Sequence, residues 1–158
     1  MEHVNTALSW SGGNVAIIAA RFNDLVVQNL IRGAHETLLR FGVPDHNIHL
    51  IRVPGAFELP AAALWTAQSA HYRALVVLGV IIRGQTPHFE YVAGASSSGL
   101  SQAALQTGLP MGFGLLTVDT MDQALDRAGG KAGNKGEDAA MTAVEMVSLL
   151  DAMQSGGA

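Results

Sequence analysis

The stretch Ala74–Gly94, ALVVLGVIIRGQTPHFEYVAG, decides how the chain is put together. In its first nine residues only Gly79 lacks an apolar side chain. Such a run fits a strand covered on both faces, as in the middle of a parallel sheet. Arg83-Gly84-Gln85-Thr86 breaks it, and Pro87 follows. Proline suits the first turn of a helix, where its missing N–H would have had no partner. A strand therefore delivers a glycine-containing turn, and the turn delivers a helix start. Open N–H groups and the positive end of the dipole suit that place to an anion. Arg83 would add a full charge and Thr86 a hydroxyl. His88 follows, and histidine is the side chain that moves protons near neutral pH. The expectation is an anion pocket with a proton-transfer residue beside it. The alternative is an ordinary strand-to-helix junction carrying a solvated histidine.

Outward from that stretch the same alternation recurs. On its N-terminal side, Asn14–Ala20 reads as a second buried strand, with Asn23 or Asp24 available to cap the next helix. That helix carries Val27, Leu30, Ile31, Ala34, Leu38 and Phe41 at helical spacing and stops at Gly42. Phe22 stands just past the strand, at the carboxyl end where open α/β sheets bind ligands. It reads either as a ring that stacks on a planar substrate or as a plug over the core. Ile48–Val53 is a third strand, followed by Pro54–Pro60 and an alanine-rich helix to about Ala70. Glu58 at that helix start either complements the dipole or accepts hydrogen bonds from ligand hydroxyls. Gly55 and Ala56 are small enough for a ligand to approach the backbone closely. His46 and His49 share no helical face, which argues against a metal site.

On the C-terminal side, the helix from His88 runs to about Thr107 and is small-sided at Ala95–Gly99. Met111–Val118 is the fourth strand. Thr120 and Gln123 form a capping-box pattern for a further helix, near whose end lies Arg127, a cation suited to a C-terminal dipole. Gly129–Gly136 reads as a flexible loop or a weak anion nest, and a last helix frays into Gln154–Ala158. Residues 1–13 read as an arm, an edge strand or a frayed tail.

The 158 residues fit a single domain, with 49% hydrophobic and only 14% charged residues. With a mean hydropathy of +0.26, some of that surface is expected to be hidden against further copies of the chain. The net charge of −4 argues against nucleic acid as a partner. Zero cysteines exclude disulfide and thiolate chemistry. The start lacks a basic region followed by an apolar core, and no apolar run is long enough for a membrane span. The expectation is a cytoplasmic protein. Strands alternating with helices predict a three-layer α/β/α sandwich around a mainly parallel four-stranded sheet. Three strand ends then present chemistry together: Phe22, Gly55–Glu58 and Arg83–His88. Phe113 and Arg127 do not reach that rim within one chain, so they are either unrelated or belong to a site completed by a neighbouring copy.

Five segments, ARFND (Ala20–Asp24), VPGAFELP (Val53–Pro60), LGVIIRGQTPHFEYVAG (Leu78–Gly94), FGLLTVD (Phe113–Asp119) and KAGNKGEDAA (Lys131–Ala140), resemble the lumazine synthase family. The resemblance runs in order over roughly residues 14–150. It implies a flavodoxin-like fold, an N-terminal arm that adds a strand to a neighbour's sheet, and homopentamers with active sites shared between adjacent subunits. In many members the pentamers close into an icosahedral shell. The activity implied is that of a transferase of riboflavin biosynthesis. It condenses 5-amino-6-(D-ribitylamino)uracil with 3,4-dihydroxy-2-butanone 4-phosphate, without metal or other cofactor. The resemblance also points to riboflavin synthase as a protein partner.

Carried over by position, the resemblance makes His88 the proton shuttle and Phe22 the ring that stacks on uracil. Ala56, Phe57 and Glu58 hold the ribityl side, and backbone groups of Val80, Ile81 and Ile82 meet the pyrimidine edge. Gln85 and Thr86 bind phosphate through N–H groups. Phe113, Arg127 and Lys135 come from the adjacent subunit, with Arg127 on the phosphate. Gln85 departs from the glycine or alanine common in the family. Gly130 departs from a common threonine, at the expected cost of a side-chain cap on the last helix. The short spacing from Arg127 to Lys131 leans towards the shell. Rival readings are a flavin-binding module, a structural shell protein with little turnover, and a phosphosugar isomerase.

Overall fold

A computed structural model describes residues 1–156. Four strands, β1 (Asn14–Ala20), β2 (Ile48–Val53), β3 (Tyr72–Ile82) and β4 (Met111–Val118), form one sheet in the order β2-β1-β3-β4, every pair parallel. The helices are α1 (Asp24–Arg40), α2 (Leu59–Gln68), α3 (His88–Thr107), α4 (Met121–Asp126) and α5 (Lys135–Gln154). Helices flank the sheet on both sides in a flavodoxin-like, three-layer arrangement.

The uninterrupted apolar strands follow from this layering. In β1, Val15, Ile17 and Ala19 face the layer of α1 and α5, while Ala16, Ile18 and Ala20 face that of α2 and α3. In β3, Val76, Leu78 and Val80 face the first layer, and Leu75, Val77 and Ile81 the second. Both faces of both central strands are covered, so neither shows polar alternation. Gly79 belongs to this packing, since a Cβ there would lie 2.9 Å from Leu115 Cδ1 and 3.1 Å from Leu59 Cδ1.

Helix α5 lies so close to its neighbours that no side chain fits at two contacts. A Cβ on Gly112 would sit 1.9 Å from the Ala139 carbonyl oxygen, and one on Gly136 would sit 2.1 Å from that of Leu30. On the other layer, a Cβ on Gly99 would meet Pro60 at 2.8 Å, which is the close α2–α3 packing that the small residues of α3 predict.

Several local expectations are corrected. Asn23 occupies the position before α1 in left-handed geometry (φ 60, ψ 44), and its side chain does not cap the helix. Its amide instead donates to the Val80 carbonyl across the sheet, at 3.1 Å. Helix α2 stops at Gln68, and Ala70 turns the chain with φ 60. The capping pattern at α4 is split: the Thr120 hydroxyl accepts from Gln123 N, but Gln123 Oε1 accepts from Asp119 N, one residue earlier than a box requires.

Gly129–Gly136 is no flexible loop. It contains most of an antiparallel pair, β5 (Ala128–Gly130) and β6 (Gly133–Asn134), and the first residues of α5. Nor does Gly130 deprive α5 of its cap. Asn134 Oδ1 accepts from Gly136 N and Glu137 N, whereas a Cβ at Gly130 would lie 2.7 Å from the Leu125 carbonyl oxygen. Residues 1–13 form no strand within this chain, and from Thr6 onward they are tied down. Ala7 N donates to Ser148 Oγ at 2.8 Å and Ser11 Oγ to Asp151 at 2.8 Å, both on α5, and Trp10 N donates to the Phe41 carbonyl at the end of α1 at 2.8 Å. At the other end Gln154 is still helical, and the expected fraying at 157–158 lies outside the described residues.

Candidate active site

The carboxyl ends of β1, β2 and β3 open onto a cleft of about 750 Å³. It lies where strand order reverses between β1 and β3, the switch point at which open parallel sheets bind ligands. Its volume falls in the range that holds small organic molecules.

Phe22 lines the cleft and is 72% exposed, which decides against a core plug. Its turn is braced from β2: Arg21 N donates to the Val53 carbonyl at 2.8 Å and Phe22 N to the Pro54 carbonyl at 3.1 Å. The Arg52 guanidinium reaches the Ala19 and Ala20 carbonyls and the Asp24 carboxylate. Its hydrogen bond holds the Asp24 carboxyl below the usual carboxylate range. The ring thus stands on a rigid turn with its faces open.

Ala56, Phe57 and Glu58 form a 3₁₀ turn on a second wall. Ser96, fully buried on α3, donates its hydroxyl to the Ala56 carbonyl at 3.0 Å and ties this turn down. Phe57 is 63% exposed. Glu58 has a local duty, since its Oε2 accepts from Gly55 N at 3.0 Å. A carboxylate accepts more than one hydrogen bond, so capacity remains for a ligand hydroxyl.

Val80, Ile81 and Ile82, at the end of β3, line the floor. Gly84, Thr86 and His88 bring the start of α3 to the same cleft. His88 is the first residue of α3 and is exposed. The arrangement sets an open aromatic face, a carboxylate and a helix start with a histidine around one volume.

The expected charge of Arg83 is not available to an anion there. Arg83 Nε donates to Asp119 at 2.9 Å, Nη1 donates to Glu90, and the guanidinium lies 4.4 Å from the Phe89 ring centroid. The hydrogen bonds that Arg83 donates to Asp119 and then to Glu90 raise its pKa above the ordinary value, and the bond to Glu90 lowers the pKa of that carboxyl. Two carboxylates within reach hold the cation.

Four expected residues are not among those lining this cleft: Gln85, Phe113, Arg127 and Lys135. Gln85 is exposed on the loop between Gly84 and Thr86. Phe113, 45% exposed on the edge strand β4, borders a separate groove of about 200 Å³ with Leu100 and Met111. Arg127 ends α4, where its Nη1 donates to the Gln123 carbonyl at 3.1 Å, as a cation at a C-terminus would. Lys135 N donates to the Arg127 carbonyl at 2.8 Å, so these two exposed cations are chain neighbours across the hairpin.

Asn23, Phe89, Tyr91 and Val92 line the cleft without having been expected. His88, Tyr91 and Val92 stand at helical spacing, a periodic signal that was readable. Asn23 carried only the hint that asparagine tolerates left-handed backbone.

Among the described residues, no group of three or more His, Asp or Glu side chains could hold a metal ion. None of the helices among the described residues is long and apolar enough to cross a membrane. In comparison with known proteins, the model of a family described as 6,7-dimethyl-8-ribityllumazine synthase matches residues 12–151.

Proposed function

Because the chain belongs to the 6,7-dimethyl-8-ribityllumazine synthase family, we propose that it condenses 5-amino-6-(D-ribitylamino)uracil with 3,4-dihydroxy-2-butanone 4-phosphate, the penultimate step of riboflavin synthesis. The observation that carries this reading is the single cleft on which Phe22, Glu58 and the Thr86–His88 helix start converge.

Each wall suits one part of the reactants. The open Phe22 face stacks the uracil ring, and backbone groups of Val80, Ile81 and Ile82 meet its polar edge. Ala56, Phe57 and Glu58 take the ribityl chain, with the spare capacity of Glu58 accepting from hydroxyls. N–H groups of Gln85 and Thr86 and the start of α3 hold the phosphate.

The 5-amino nitrogen adds to the ketone carbon, the carbonyl oxygen takes up protons, and water leaves to give the imine. A proton then leaves the adjacent carbon, the electron pair moves into the chain, and the C–O bond to phosphate breaks. Loss of phosphate leaves an enol at the former hydroxyl-bearing carbon, which takes up a proton at its terminal carbon and gives up its hydroxyl proton to become a ketone. The ribitylamino nitrogen closes the ring on that new carbonyl, and a second water leaves. His88 is placed to carry protons in these steps. Holding both reactants together supplies much of the rate.

Among the described residues, no Lys or Arg lines the cleft, and the nearby Arg83 is spent on Asp119 and Glu90. Arg127, with no carboxylate partner among the described residues, would come from an adjacent copy in a pentameric ring, along with Phe113 and Lys135. Their exposure, and their absence from the lining of the chain's own cleft, support that arrangement.

The test is incubation with both substrates while following lumazine fluorescence and inorganic phosphate. Product and phosphate should appear together, and neither should appear when the uracil is omitted. Turnover of the sugar phosphate alone would point to an isomerase, and tight flavin binding without turnover to a binding module.

A further inference from the structure

Arg83 sits at the end of β3 but is not among the residues lining the cleft, although Gly84, Thr86, His88 and Phe89 are. Its backbone N–H donates to the Val118 carbonyl at 2.8 Å, fixing it to β4. Its side chain then does three things at once: it binds Asp119 just beyond β4, binds Glu90 in the first turn of α3, and lies over the Phe89 ring. Both ends of the Gly84–Pro87 loop are thereby joined by one guanidinium.

The charges matter as much as the geometry. Glu90 stands in the same helical turn as His88, beside the place where a phosphate would sit. A bare carboxylate there would repel an anion. Paired with Arg83, it is neutralised, and the helix start keeps its positive character.

We infer that Arg83 is a positioning residue that makes the start of α3 fit for an anion, by masking the Glu90 and Asp119 carboxylates and holding the loop that carries Thr86 to His88. This rests on the reading of that helix start as the phosphate site, and it goes further by naming why the site tolerates an acid in its first turn. Arg83 itself touches no substrate.

The decisive comparison is among wild type, Arg83→Ala and the double variant Arg83→Ala/Glu90→Gln, with inorganic phosphate as the probe. Phosphate affinity should fall by about tenfold in Arg83→Ala, the scale of one or two unmasked charges a few ångströms away. It should recover by more than half in the double variant, which removes one freed carboxylate without restoring any contact. Raising the salt concentration should narrow the gap between wild type and Arg83→Ala.

With both substrates, KM for the phosphorylated ketone should follow the same order, with KM for the uracil within about twofold throughout. A purely structural brace predicts a double variant no better than the single one, and both KM values moving together; either result overturns the inference. Equal phosphate affinity in all three proteins, or none in wild type, overturns it as well. Phosphate binding in the expected order without condensation would leave Arg83 in this role and remove the proposed reaction instead.

Discussion

His88 is the residue on which the proposed chemistry turns, and its setting bounds what its loss should do. It is exposed at the first position of α3, and its side chain makes no hydrogen bond among the described residues. His88→Ala should therefore leave melting temperature within about 2 °C, because exposed positions with no partner change stability little. Turnover should fall by about a hundredfold, the lower end for a lost acid–base group, since approximation of the reactants persists. Unchanged kcat would remove His88 from the mechanism.

The Arg83–Glu90 pair gives a second residue-scale prediction. Glu90 has its pKa lowered in the folded chain from an ordinary 4.5, chiefly by the Arg83 hydrogen bond. A depressed carboxyl stabilises the fold above its unfolded pKa, and that contribution is lost as pH falls through the folded one. The melting-temperature gap between wild type and Glu90→Gln should be constant from pH 7 to about 5.5 and shrink below about 4.5. A gap that widens on acidification would contradict the pairing.

At the scale of elements, β1, β3 and β4 were legible as largely apolar runs ended by a break. The edge strand β2, which carries His49 and Arg52, was legible from its β-branched residues and the Pro54-Gly55 that follows. Val76 and Val77 are both buried, one on each face, and a continuous run is what such a strand must look like. The site's outline was legible for the same reason, since Phe22, Gly55–Glu58 and Arg83–His88 are those breaks.

What stayed hidden depends on contacts distant in sequence. Asn23 looked like a helix cap, yet the Val80 carbonyl across the sheet claims its amide. Arg83 looked like a free anion-binding charge, yet Asp119, 36 residues away, takes it. The Gly129–Gly136 stretch looked unstructured because glycine hides pairing, yet two close backbone approaches and an asparagine cap order it.

Asn134 is the element's anchor. Besides capping α5, its amide donates to the Asn29 carbonyl of α1 at 3.1 Å. Asn134→Ala should cost about 1–2 kcal/mol, a cap plus one further hydrogen bond. Urea denaturation checks it, and a loss under about 0.5 kcal/mol would show that the cap carries little.

The whole molecule poses the largest question, because on the proposed reading one chain supplies only part of the site. Its cleft offers a ring, a carboxylate and a helix start, while Arg127 and Lys135 stand together on the outside at the hairpin. Closure by a second copy follows if the proposed ring of subunits places one chain's hairpin against the next chain's cleft, a head-to-tail contact. Phe113 on the edge strand β4 would arrive by the same contact. Mixing two crippled chains tests this most directly. His88→Ala and Arg127→Ala should each be weakly active alone at low ketone phosphate. Unfolded together in equal amounts and refolded, they should form some junctions that pair an intact His88 with a neighbour's intact Arg127, restoring about a quarter of wild-type activity by random placement. Activity no higher than the average of the two variants refolded separately would contradict a site shared between copies.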